Sequence, residues 1–118
     1  YGDKGEKLLW SGLDETFQRE AEQPAVQELI DRLLITQALE SVRCIEEGVM
    51  IAADDIDVGA IMGWGFAPYT GGPLTMIDTL GAEQFVRHCD ALAETHGPRF
   101  TPPQLLRDLA ASGGTLRA

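Results

Sequence analysis

The sequence predicts an all-α fold of about five helices. Three observations carry that expectation. Apolar residues recur at steps of three and four in several segments, and no segment shows the period-two alternation of a half-buried strand. Glycine and proline fall at the breaks between the periodic segments, where helices start and stop.

Residues 1–23 read as a linker or docking arm, and residues 24–118 as the folded domain. Gly2, Gly5 and Gly12 punctuate the arm, and Asp14, Glu15, Glu20 and Glu22 make it too polar to form a core alone. Leu8, Leu9, Trp10 and Leu13 are its exception. An apolar patch led by Leu9 and Trp10 in a polar arm is expected to dock on a neighbouring surface.

From Pro24 to Glu47 the residues Val26, Leu29, Ile30, Leu33, Leu34, Leu39, Val42 and Ile45 define one helical face. Ile35, Ala38 and Cys44 widen it, so the helix is expected to be covered on more than one side. Pro24 suits the first turn and Gly48 a left-handed stop. Such a helix is on the order of 35 Å long. Glu40–Arg43 and Arg43–Glu47 have spacings that allow pairing on its wet face. A second helix fits Ala53 to Met62, with Ile56, Ala60 and Ile61 inward. Asp54, Asp55 and Asp57 crowd its first turns, where carboxylates meet the positive end of the helix dipole.

The stretch Gly63 to Pro73 holds four glycines, two prolines and three aromatic residues in eleven positions. It reads as a compact structural loop pinned by Trp64, Phe66 and Tyr69, with Gly71 or Gly72 at positive φ. Removing a buried Trp64 ring would cost about 3–5 kcal/mol. Pro73 then opens a short helix through Leu74, Met76, Ile77 and Leu80, closed by Gly81. In it Asp78 is expected to bond backbone amides of the loop or of the following turn. Ala82 to His96 forms another helix, with Phe85, Val86, Cys89, Leu92 and Ala93 inward and Gly97 as its end. Thr101 can cap a last helix that starts at Pro102 and buries Leu105, Leu106 and Leu109 before Gly113.

Length and charge narrow the function. The chain has 118 residues, one domain's worth, and a formal net charge of −10. That is too short for a dinucleotide-binding domain joined to a substrate domain. Fourteen of the nineteen acids but only five of the nine bases lie in residues 1–60, so the acidity belongs to the first half. Such a polyanion matches neither nucleic acid nor anionic lipid, and no apolar run approaches the ~20 residues of a membrane span. Cys44 and Cys89 lack Cys-x-x-Cys spacing and read as free buried thiols in a reducing compartment. Tyr1 is not a start methionine, and the chain is expected to be a piece of something longer.

Self-contained chemistry is hard to find. The dinucleotide fingerprint Gly-x-Gly-x-x-Gly fails at Pro68, and it should follow a strand whereas this stretch follows a helix. The aspartates lack the alternation and the closing Glu of a calcium loop. His88 and His96 are eight residues apart and cannot chelate as an i, i+4 pair. His88 and Cys89 are adjacent, so they point about 100° apart on the helix. His96 suits the negative end of its helix as a cap. No catalytic, cofactor-binding or metal-ligating residue is assigned. Two other readings remain open, a free-standing helical interaction module using the Gly63–Pro73 loop and a small metal enzyme using Asp54 to Asp57.

Several pieces appear in order: Leu9-Trp10-Ser11-Gly12-Leu13, Arg43-Cys44-Ile45-Glu46-Glu47-Gly48, Asp57-Val58-Gly59, the Gly63–Leu74 stretch, Ile77-Asp78-Thr79-Leu80-Gly81 and Gly97-Pro98-Arg99-Phe100. Together, from about Lys7 to Leu109, they resemble the C-terminal helical domain of 3-hydroxyacyl-CoA dehydrogenases, above all the last repeat of the multifunctional α-subunits of fatty-acid β-oxidation. The resemblance implies the 6-phosphogluconate dehydrogenase C-terminal-domain-like fold. It also implies that NAD and a catalytic His–Glu pair belong to an upstream Rossmann domain and that no cofactor site lies in this chain. The implied partners are that domain and a first helical repeat, or a second copy in a homodimer. The implied location is the cytoplasm of a bacterium, or mitochondria or peroxisomes in a eukaryote. The tail Gly113-Gly114-Thr115-Leu116-Arg117-Ala118 lacks the aromatic residue with which such chains often end.

Overall fold

The computed structural model describes Gly5 and residues 7–117; Tyr1 and Gly2, read above as start and punctuation, and Ala118 lie outside the described residues. Among the described residues six α-helices follow one another: α1 (Leu13–Thr16), α2 (Val26–Glu46), α3 (Ala53–Trp64), α4 (Pro73–Leu80), α5 (Ala82–His96) and α6 (Gln104–Ser112). Short 3-10 turns at Pro68–Thr70 and Pro98–Phe100 link them, and no strand occurs among the described residues. The fold is all-α, as the periodicity predicts. The sixth helix is the four-residue α1, a single turn within the arm.

The core collects Leu39 and Val42 from α2, Ile56 from α3, Leu74 and Ile77 from α4, Phe85 and Cys89 from α5, and Leu106 from α6, with Phe100 closing one end. Helix α2 starts two residues later than the periodicity implies. Ala25 is extended (ψ 141°) and serves as its N-cap, which leaves Pro24 outside the first turn. At its other end Gly48 takes φ +70° and its N–H reaches the Ile45 carbonyl at 3.0 Å, the expected left-handed stop. Helix α3 runs two residues past Met62, so Gly63 and Trp64 are helical and the break falls at Gly65 (φ +78°).

The buried part of α2 begins only at Ile35. Val26, Leu29, Ile30 and Leu33 carry the same apolar period but face solvent, with Leu33 67% exposed. The expectation that the whole face is covered therefore fails for the first half of the helix. The arm stands off in the same way. Leu8, Leu9 and Trp10 are exposed, Trp10 by 65%. The Cα radius of gyration is 17.0 Å, against about 13–14 Å for a compact domain of this length.

Helix starts are unusual in one respect. The N-cap residues of the six helices are Gly12, Ala25, Ala52, Gly72, Gly81 and Pro103, and none makes a side-chain capping bond. Thr101 is not the cap of the last helix. Instead Glu46, at the end of α2, accepts the Leu105 N–H at 2.7 Å across 59 residues. Arg43 pairs with Glu40, and its guanidinium also donates to the carbonyls of Arg99 (3.3 Å) and Thr101 (3.1 Å). Arg43 thus ties α2 to the Pro98–Phe100 turn, a structural role that the wet-face reading misses.

Candidate functional site

Asp57 is the polar centre of the domain. The expectation that it serves the first turn of its own helix is overturned, because its side chain is 1% exposed and crosses to α4. Three residues after Asp54, it lies on the inward side of α3 next to Ile56 and Ala60. Its Oδ1 accepts the Leu74 N–H at 2.7 Å, and its Oδ2 accepts the Thr75 N–H at 3.0 Å and the Thr75 hydroxyl at 2.6 Å. A carboxylate here satisfies the free amides at the start of α4 and meets the positive end of its dipole. Arg117 Nη2 lies 2.7 Å from Asp57 Oδ2 and 2.9 Å from Asp54 Oδ1, so the buried charge is paired.

Gly72 explains its own identity. At φ +118°, a Cβ there would lie 2.3 Å from Asp57 Cγ, so only a glycine lets the loop close over the carboxylate. Gly71 is also at positive φ. Asp78 does not bond the loop or the turn after α4. Its carboxylate accepts the N–H groups of Leu116 (2.9 Å) and Arg117 (3.2 Å), and so holds the tail that supplies Arg117.

The same geometry tests the glycine-rich stretch as an anion cradle. Phe66 N–H goes to the Ala60 carbonyl, Thr70 to Ala67, Gly71 to Pro68 and Gly72 to the Thr70 hydroxyl. The α4 amides a phosphate would seek are taken by Asp57, whose charge would repel it. These residues do not fit a dinucleotide, and no step of nicotinamide chemistry can be assigned to them.

The three aromatic residues of the stretch part company. Phe66 is buried and anchors the loop, but Trp64 is 62% exposed and Tyr69 82% exposed, so neither pins it. Tyr69 sits in a 3-10 turn that faces outward, and Trp64 projects from the last turn of α3. The Trp64 indole N–H donates to Gln37 Oε1 at 2.8 Å and bridges α3 to α2. On one side of that bridge Ile30, Leu33, Leu34, Phe66 and Tyr69 line a hollow of about 400 Å³. On the other side a groove of about 530 Å³ runs between α2 and α3, lined by Cys44, Met50, Ile56, Gly59, Ala60 and Gly63 among others.

The titratable side chains outside Asp57 hold helices together. His96 Nε2 lies 3.1 Å from Glu28 Oε1, joining the end of α5 to the start of α2, and its ring meets Phe100 edge-on at 6.2 Å. It therefore does more than cap its own helix, while His88 is exposed. Arg107 donates to Asp90 through Nη2 (2.7 Å) and Nη1 (3.2 Å), and this bond raises its pKa. Both cysteines are free, and burial pushes the Cys89 thiol up to about 12, which keeps it protonated and unreactive. Among the described residues no group of three His, Cys, Asp or Glu side chains is placed to hold a metal. No described helix is long and apolar enough to cross a membrane.

Helices capped by their neighbours, loop amides closed on internal acceptors and apolar surfaces left open define a helical packing domain. The chain belongs to the family of 3-hydroxyacyl-CoA dehydrogenase C-terminal domains, whose pattern matches residues 29–118. It is similar to the fatty acid oxidation complex subunit alpha of Shewanella amazonensis, 43% identical over 88 residues, 75% of this chain and 12% of that protein. The subunit of the same name from Shewanella frigidimarina is 38% identical over 119 residues, 96% of this chain and 16% of the relative. That of Acinetobacter baumannii strain AYE is 42% identical over 86 residues, 73% of this chain and 12% of its own. The chain spans only about an eighth to a sixth of the length of these curated relatives. Matches of this kind do not favour a free-standing module built on the Gly63–Pro73 loop.

Proposed function

We propose that residues 24–118 form the terminal helical scaffold of a longer NAD-dependent 3-hydroxyacyl-CoA dehydrogenase of fatty-acid β-oxidation, with residues 1–23 as the arm that joins it to what precedes. In this reading NAD and the catalytic His–Glu pair belong to an upstream Rossmann domain. This domain packs against that part and a first helical repeat, or against a second copy in a homodimer. Catalysis takes place in the cytoplasm in a bacterial host. The observation that carries the reading is the open first half of α2, where Val26, Leu29, Ile30 and Leu33 keep the period of a buried face beside exposed Trp64 and Tyr69. Leu9 and Trp10 on the arm add a second uncovered patch.

The test is reconstitution. A parent enzyme truncated before this domain is expected to lose 3-hydroxyacyl-CoA oxidation and to recover it when the chain is supplied in trans. Leu33→Asp together with Tyr69→Asp should block the recovery while leaving the chain folded. Recovery that ignores these two substitutions would refute the assignment of the face.

A further inference from the structure

The segment that follows α6 runs back to α4 and α3. Gly113 turns it at φ +68°, and Leu116 packs against the core. Apart from that packing, Leu116 and Arg117 are tied to the helices, among the described residues, by hydrogen bonds and ion pairs that all end on three aspartates. Asp78, in the last turn of α4, accepts both of their N–H groups, and Asp57 and Asp54 share the Arg117 guanidinium. These contacts close a circuit. Asp57 holds the first amides of α4, Asp78 at the far end of α4 holds residues 116 and 117, and Arg117 returns to Asp57 Oδ2. That oxygen is the one that also receives the Thr75 N–H and hydroxyl.

Charge makes the circuit conditional. Asp78 sits at the negative end of its helix dipole, where a carboxylate is unfavourable unless donors meet it. Asp57 is buried, and without Arg117 its charge would keep only two amides and a hydroxyl. Both carboxylates therefore depend on the same short segment, which is not braced from either side. A hollow of about 360 Å³, lined by Ile51, Ala52 and Ala53, runs along Leu116 and Arg117. Another of about 290 Å³, between Gly81, Glu83 and Leu109, runs along residues 113–115. Two consecutive glycines at its root leave the backbone free to turn there.

We propose that residues 113–117 are an ion-latched strap that opens and closes as one unit without global unfolding, and that its closure sets how firmly the Gly72 turn and the start of α4 are held. Closed, Arg117 neutralises Asp57. Open, Asp57 is left as a buried carboxylate without a cation, and the junction of α3 with α4 loosens. Salt favours the open form, because the guanidinium is 40% exposed and its two ion pairs can be screened. The strap is a property of this chain by itself and stands or falls apart from the scaffold reading.

Amide hydrogen exchange, followed residue by residue by NMR, tests it. The Leu74, Thr75, Leu116 and Arg117 amides are expected to exchange roughly tenfold or more faster than the Cys89 amide in the middle of α5. Raising NaCl from about 0.05 M to about 0.5 M should speed these four and leave Cys89 unchanged, a comparison that needs no variant. Arg117→Ala should raise Thr75 exchange roughly tenfold beyond any change at Cys89, and should remove its response to salt. Asp78→Ala should also speed Thr75, and the double variant should match Arg117→Ala alone, since one strap is released only once. Fold-changes at Thr75 that multiply in the double variant overturn the proposal. So does a Thr75 amide that exchanges only at the Cys89 rate, or one indifferent to both salt and Arg117→Ala.

Discussion

Replacing Asp57 by asparagine keeps the shape of the side chain and removes its charge. The amide oxygen can still accept the Leu74 N–H now held at 2.7 Å. The NH2 group, however, takes the place of Oδ2, which receives the Thr75 N–H at 3.0 Å, the Thr75 hydroxyl at 2.6 Å and Arg117 at 2.7 Å. The hydroxyl can rotate to accept, but the amide and the guanidinium cannot. Two charge-assisted bonds at about 1.5–3 kcal/mol each are lost, and breaking a buried pair costs about 3–5 kcal/mol, so a loss of about 3–5 kcal/mol is expected. At roughly 4 °C per kcal/mol for a domain of this size, the melting midpoint should fall by about 12–20 °C. Urea unfolding followed by circular dichroism measures the free-energy loss, and a thermal scan the midpoint. Asp54→Asn is the control, since that side chain is 80% exposed and the change should stay within about 0.5 kcal/mol. An Asp57→Asn variant within about 1 kcal/mol of the parent chain would show that the carboxylate is not the organising centre.

Gly72→Ala should lose more than about 2 kcal/mol in the same assay, because its Cβ at φ +118° would overlap Asp57, whereas Gly59→Ala should hold or gain stability. Phe66→Ala should cost about 3–5 kcal/mol, and Trp64→Ala, with its ring 62% exposed, less than about 1 kcal/mol. Alkali should destabilise the chain through Cys89. The unfolded thiol ionises near its ordinary value of 9.0 while the buried one holds its proton to about 12, so the unfolded state loses protons first. Stability should therefore be level below pH 9 and fall by roughly 1 kcal/mol per pH unit above it, and Cys89→Ala should flatten that slope.

The helices and their glycine stops are legible in the sequence because they depend on neighbours three or four residues away. The turn from Ile45 to Gly48 and the break at Gly81 are of this kind. Asp57 was legible only as a carboxylate near a helix start. Which helix it serves depends on a packing that brings residues 57 and 74 together, and no local pattern encodes that. The same holds for Glu46 with Leu105 and for Asp78 with the tail. The aromatic residues failed differently. Composition marks Trp64, Phe66 and Tyr69 alike, yet only Phe66, the residue directly after the left-handed Gly65, is buried.

Helices whose ends are closed by residues from other helices have little reason to form alone. A peptide cut from 70–82 would carry α4 without Asp57, and one cut from 101–114 would carry α6 without Glu46, so each should be mostly coil in water. Secondary structure should then appear together with tertiary packing in a single concerted transition. A break anywhere between the donor and acceptor of one of these long-range caps should be felt at helices remote from it. The domain is expected to behave as one folding unit, which suits a part that must reach its partners assembled.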